Sequence, residues 1–191
     1  VESIAANPRN NNENFISTQF GGLWESTNRG FSWTHLNSFN TVFTKDIAFS
    51  QDGETLIATR VRDCGLRHTG GIWISRNKGI TWTQPPSAVP PVNNRSPKRN
   101  SGYGISFDPE NEGRVYVGTD YGLAVSDDLG QNWNHFQLPI PGGIFSDSTQ
   151  NTVYSVLALP NDIVIALTKS GVFRSDDAGQ SWQNIKSGNF A

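Results

Sequence analysis

The sequence contains no methionine and a single cysteine, Cys64. One thiol excludes an internal disulfide, so the chain must be held together by noncovalent packing alone. With no histidine at nucleophile spacing near it, Cys64 reads as an inert thiol. The three histidines, His35, His68 and His135, follow no metal-ligand spacing, so neither a metal nor a cofactor is expected. No apolar run approaches the roughly 18 residues that suggest a membrane span, and residues 1–3 begin neither a charged nor an apolar leader. A membrane partner is therefore not expected. Lacking an initiator methionine, the chain is expected to be a mature or excised piece of a longer product.

What is abundant points the other way from helices. Nineteen glycines and ten prolines, with Asn, Ser and Thr throughout, punctuate 191 residues that are 35% hydrophobic. That length and composition suffice for a buried core, and the density of turn formers favours short antiparallel strands. An all-β fold is expected.

A repeat organises the chain. The pattern Ser-x-Asp/Asn-x-Gly-x-x-Trp occurs four times, at residues 26–33, 75–82, 126–133 and 175–182, with steps of 49, 51 and 49 residues between the serines. The repeated positions are Ser26, Asn28, Gly30 and Trp33; Ser75, Asn77, Gly79 and Trp82; Ser126, Asp128, Gly130 and Trp133; and Ser175, Asp177, Gly179 and Trp182. An Asp or Asn side chain there accepts backbone N–H bonds and closes a tight turn, while Gly takes a positive φ. The Trp leads back into the sheet as an apolar anchor whose indole N–H needs a partner. In two of the four copies the acid is replaced by Asn, so a charge is dispensable and the box is read as structural.

Around each box the same order recurs. In the third repeat, residues 103–108, 114–119, 122–126 and 133–136 read as four consecutive strands, here called A to D, with the box as the C-to-D turn. The period suits one four-stranded propeller blade. The chain is accordingly divided at about 1–40, 41–90, 91–140 and 141–191 into four blades.

These four boxes resemble the Asp-box, or bacterial neuraminidase, repeats of sialidases, xyloglucan-cleaving glycosidases, sortilin-type receptors and the photosystem II assembly factor. Residues 21–26 (GGLWES) and 115–119 (VYVGT) look most like the secreted glycosidase and assembly-factor type. The Phe/Tyr-Arg-Ile-Pro tetrapeptide of sialidases does not occur. The resemblance implies a propeller that closes with more than four blades, so the missing ones, or a second copy, are expected partners. It also implies an extracellular or periplasmic protein whose ligands bind on the face opposite the boxes.

The sequence spends its extra residues on that face, in segments 61–70, 83–102 and 134–152. Two of these share a basic block. Residues 60–99 hold eight Lys/Arg against one acid, Asp63, within a chain whose net charge is −2. Arg60, Arg62, Arg67 and His68 are expected to face Arg95, Lys98 and Arg99, with Tyr103, Asp120 and Tyr121 entering from the third blade. Guanidinium forks suit carboxylates and polar sugars; solvated loop charges are the plainer alternative. The block lacks the aromatic interleaving of a nucleic-acid groove, and nucleic acid is not an expected partner.

Glycoside hydrolysis needs two carboxyl groups roughly 5 to 9.5 Å apart across the scissile bond. The acids of the decorated face are Asp46, Asp63, Asp120 and Asp147. Asp63, with Asp120 as its partner, is the candidate catalytic pair. The leading expectation is a non-catalytic recognition or scaffold segment that binds glycan or protein; part of a secreted glycoside hydrolase is the alternative.

Overall fold

The computed structural model describes residues 1–39, 43–61, 70–88, 101–139 and 151–187. Among them the chain forms β1 (Ser3–Ala6), β2 (Asn14–Thr18), β3 (Gly22–Ser26), β4 (Thr34–His35), β5 (Thr44–Phe49), β6 (Leu56–Arg60) and β7 (Gly71–Ser75). After one turn of 3-10 helix (Pro86–Ala88) come β8 (Gly102–Phe107), β9 (Val115–Thr119), β10 (Gly122–Ser126) and β11 (Asn134–Phe136). The last group is β12 (Val153–Leu159), β13 (Ile163–Thr168), β14 (Gly171–Ser175) and β15 (Gln183–Ser187). Each group of consecutive strands makes one antiparallel meander, giving four sheets in chain order. The chain is a propeller segment of four blades.

Blade two departs from the expected four strands. Its sheet holds β5, β6 and β7 only, and strand D is reduced to a single bridge between Ile74 and Thr83. Pro85 and Pro86 follow immediately. Neither has an N–H to give a ladder, so pairing stops where they begin.

Strands A pack side by side: β1 touches β5, β5 touches β8, and β8 touches β12. Alternation along the strands then builds one apolar layer per pair of blades. Phe15 and Leu23 of blade one meet Ile47, Phe49, Leu56 and Ala58 of blade two. Ile57, Ile72 and Ile74 of blade two meet Val115, Val117 and Ala124 of blade three. Tyr116, Leu123 and Val125 of blade three meet Val156, Val164, Ala166 and Phe173 of blade four.

The same positions remain uncovered at the two ends. Strand register places Ile165 of blade four where Phe15, Ile57 and Tyr116 stand in the other blades, and those three are fully buried. Ile165 is only half-buried, and Leu157, paired with it, is 52% exposed. On the far side of blade one, Ile4 pairs with Ile16 and is 67% exposed. Both outer faces are thus composed like inner ones.

Each box is a turn closed by a buried hydroxyl. The Ser126 Oγ donates to Asp128 Oδ1 at 2.8 Å and accepts the Gly130 N–H at 2.8 Å, and Asp128 Oδ1 accepts the Asn132 N–H at 2.8 Å. The amide boxes do the same, with Ser26 to Asn28 at 3.0 Å, Gly30 to Ser26 at 2.8 Å and Ser32 to Asn28 at 2.9 Å. In all four the Trp indole N–H donates to the box Gly carbonyl, at 3.1, 3.1, 2.9 and 3.0 Å.

The residue before each box Gly also has a positive φ: Arg29, Lys78, Leu129 and Ala178, at 62°, 53°, 53° and 57°. The box pattern marks only the Gly for this conformation, because these four side chains have nothing in common. Their backbones do. Each N–H reaches the A-to-B turn of its own blade, on Asn12, Glu54, Gly113 and Asp162 carbonyls at 3.2, 3.4, 2.8 and 2.8 Å. The boxes and the A-to-B turns therefore share one face. The box Gly meanwhile lies against the preceding blade, since a Cβ on Gly79 would stand 3.1 Å from Leu36 and 3.3 Å from Phe15.

Ser126→Ala removes the acceptor of a buried N–H, and we expect a loss of about 1–3 kcal/mol, measured by urea denaturation. A second expectation concerns acid. Hydrogen bonds from the Ser181 hydroxyl and N–H, then from the Ser175 hydroxyl, hold the Asp177 carboxyl down to about 2 from 3.8. A depressed folded-state pKa stabilises above the unfolded value and is lost as pH falls towards the folded one. Asp177→Asn is therefore expected to flatten the pH dependence of the melting temperature between about pH 4 and about pH 2. At neutral pH it changes little, because Asn28 and Asn77 close the same turn.

Candidate functional site

The face opposite the boxes carries the B-to-C turns and the D-to-A connections. Arg62, Asp63, Arg67, His68, Arg95, Lys98, Arg99 and Asp147 lie outside the described residues. Arg60, Tyr103, Asp120 and Tyr121 lie within them, as does Asp46.

Tyr103 and Asp120 are brought together. The phenol of Tyr103, on β8, donates to Asp120 Oδ1 at 2.8 Å, and the Ser101 N–H donates to Asp120 Oδ2 at 3.1 Å. Asp120 returns its own N–H to the Ser101 carbonyl at 3.3 Å. Both carboxylate oxygens therefore act as acceptors and pin the start of strand A to the B-to-C turn of blade three. Burial, then the charge of Asp120, then the hydrogen bond between them push the Tyr103 phenol well above its usual 10. The result is a neutral, oriented phenol.

Two neighbours complete this cluster. Tyr154, on β12 of blade four, sets its ring edge-on to that of Tyr103, with centroids 5.3 Å apart at 71°. It is 41% exposed. Nothing in the sequence marks it, since it lies in strand A of another blade, where period-2 patterning makes it one more alternating position. On the other side, the Thr59 hydroxyl donates to the Tyr103 carbonyl at 2.5 Å. That contact sets the end of β6 against the start of β8, and Arg60 is the next residue. Arg60 pairs with Thr44 and Gly71 in the blade-two ladder and is only 4% exposed.

Tyr121 is placed differently. Its ring meets His135 at 6.4 Å, edge-on. The His135 Nε2 lies 2.8 Å from the Ser87 carbonyl, so this nitrogen carries the proton. Burial holds the imidazole below its usual 6.5 against that bond, which acts the other way. His135 thus ties the 3-10 turn to the outer strand of blade three.

Asp46 serves the inner strands. Its Oδ1 accepts the Ser3 hydroxyl at 2.5 Å and the Ile47 N–H at 2.8 Å, and its Oδ2 accepts the Ile105 N–H at 2.8 Å. One carboxylate joins strands A of three blades. Burial raises its pKa, with the bonds from Ser3, Ile105 and Ile47 opposing. It borders a cavity of about 640 Å³ along those strands, with Ile4, Ala6, Ala48 and Gln51 among the lining residues. Among the described residues no group of three or more His, Cys, Asp or Glu is arranged to hold a metal ion, and no helix is long and apolar enough to cross a membrane.

Asp120→Ala is expected to lower the pH at which Tyr103 ionises, since it removes both a nearby charge and the acceptor. Alkaline titration followed by tyrosinate absorbance near 295 nm reads the shift, and an unchanged titration curve would count against the coupling of the two groups.

No family model matches the sequence, and no curated protein matches it either. Solved structures do. An ancestral GH74 enzyme is 21% identical with a TM-score of 0.73, over 97% of this chain and 25% of its own. The GH74 xyloglucanase from Xanthomonas campestris is 18% identical with a TM-score of 0.71, over 97% of this chain and 30% of its own. YCF48 from Cyanidioschyzon merolae is 14% identical with a TM-score of 0.59, over 98% of this chain and 56% of its own. The likeness is one of propeller fold. The chain spans about a quarter of the length of the first of these.

Proposed function

We propose that this chain is part of a larger Asp-box propeller of an extracellular or periplasmic protein, and that its face opposite the boxes recognises a glycan. The observation that carries the reading is the cluster of Tyr103, Asp120 and Tyr154 at the junction of blades three and four. There an oriented phenol and an exposed aromatic ring stand together. Sugar sites combine such flat apolar surface with a few fixed polar groups. Arg62, Arg67, His68, Arg95 and Arg99, which lie outside the described residues, are the proposed donors for sugar hydroxyls or carboxylates, with Tyr121 as a further contact, while Arg60 is buried at the end of the blade-two ladder.

Further blades, or a second copy of the chain, cover the two outer faces. Ile4 favours this, being exposed where its equivalents Ile47 and Val156 are buried, and Leu157 is a large apolar side chain left half in solvent at the other end. The xyloglucanase among the similar structures makes xyloglucan the first ligand to try. It also keeps the catalytic alternative in view, with Asp63 and Asp120 as the two carboxyl groups of a glycoside hydrolase.

Isothermal titration with a xyloglucan oligosaccharide is expected to give saturable binding, weakened at least tenfold in Tyr154→Ala. Absence of binding to this ligand and to sialylated and uronic-acid oligosaccharides overturns the reading. Release of reducing ends from xyloglucan, abolished by Asp63→Ala, would replace it with the catalytic one.

A further inference from the structure

Seven non-glycine residues among those described have a positive φ. Arg29, Lys78, Leu129 and Ala178 fill the repeated box position. Asn161 and Asp162 lie in the three-residue turn (160–162) between β12 and β13, where both residue types tolerate this conformation. Phe43, at φ 65°, has neither reason. A bulky aromatic there is a true outlier, and strain of this kind persists only where the surroundings impose it.

The surroundings do so from both sides. The Phe43 N–H donates to the Gln19 carbonyl at 2.5 Å, and its carbonyl accepts the Val61 N–H at 3.0 Å. Gln19 belongs to the B-to-C turn of blade one, while Val61 follows the end of β6 in blade two. Two blades thus hold one strained residue between them. Its ring is turned edge-on to Phe20, with centroids 5.3 Å apart at 69°. Phe20 stands at the tip of the β2–β3 turn and is 70% exposed. The next residue, Thr44, begins β5, so the two rings sit among the B-to-C turns and D-to-A connections, on the face carrying Asp120.

We infer that Phe20 and Phe43 form a stacking subsite for a pyranose ring of the glycan, with Phe43 held in its strained backbone to fix the angle of Phe20. The apolar C–H face of a sugar packs on the exposed Phe20 ring, and its hydroxyls remain in solvent at the rim. This inference rests on the glycan reading above and adds a position in blades one and two to the cluster in blades three and four.

The test is titration of the whole chain with a xyloglucan oligosaccharide, comparing wild type with Phe20→Ala, Phe20→Trp and Phe43→Asn. Phe20→Ala and Phe43→Asn are expected to lower affinity at least tenfold, and Phe20→Trp to retain it. Asn accepts the left-handed conformation, so Phe43→Asn is expected to leave the melting temperature unchanged or raise it while binding falls. Wild-type binding with either Phe20→Ala or Phe43→Asn within twofold of it overturns the subsite and leaves the glycan reading standing. A fall in melting temperature in Phe43→Asn would make the ring a packing element and also overturns it. No binding by the wild type removes both.

Discussion

The serine hydroxyl at the end of each strand C is the interaction on which the rest depends. From a buried position the Ser175 Oγ donates to Asp177 at 2.7 Å and accepts the Gly179 N–H at 2.8 Å. The turn so closed forces the preceding residue into the left-handed region, and that residue's N–H then reaches the A-to-B turn of the same blade. One hydroxyl therefore links strands C and D to strands A and B. With one cysteine in the chain, and no α-helix among the described residues to brace it, a small sheet needs such a staple.

The same turns join blade to blade. Box glycines lie against the previous blade, as where a Cβ on Gly130 would come within 2.7 Å of Ile74 Cδ1. The Tyr116 hydroxyl of blade three donates to the Ala178 carbonyl of the blade-four box at 3.3 Å. Arg114 pairs with Asp127 at 2.6 Å and with Asp162 of the next blade at 3.5 Å. These pairs are largely exposed and contribute little each. The apolar layers between blades carry the stability, and polar contacts set their register. Structural contacts concentrate on the box face, while Asp120 and Phe20 stand in turns of the opposite one.

Much of this was legible in residue order. The box serines, glycines and tryptophans, the blade period and most strands follow from local turn chemistry and alternation, which act over a few residues and leave a direct mark on composition. The failed strand D of blade two was written in Pro85 and Pro86, though a repeat template obscured it. By contrast, the left-handed residue before each box Gly left no trace, because its role belongs to the backbone and any side chain serves. The basic block stood out as a charge excess, but charge along the chain says nothing about which side chains converge.

By itself, then, the sequence determined the all-β class, the four blades and the turn that closes each, since all depend on contacts between near neighbours at a fixed period. Only the tertiary structure decided that Tyr103 is held by Asp120 and faced by Tyr154, that Asp46 ties three inner strands, and that Phe43 is strained against Phe20. Each of those contacts crosses a blade boundary or a turn, bringing together residues between 17 and 59 positions apart. Which residues meet there depends on how the sheets pack, not on the pattern along any one strand.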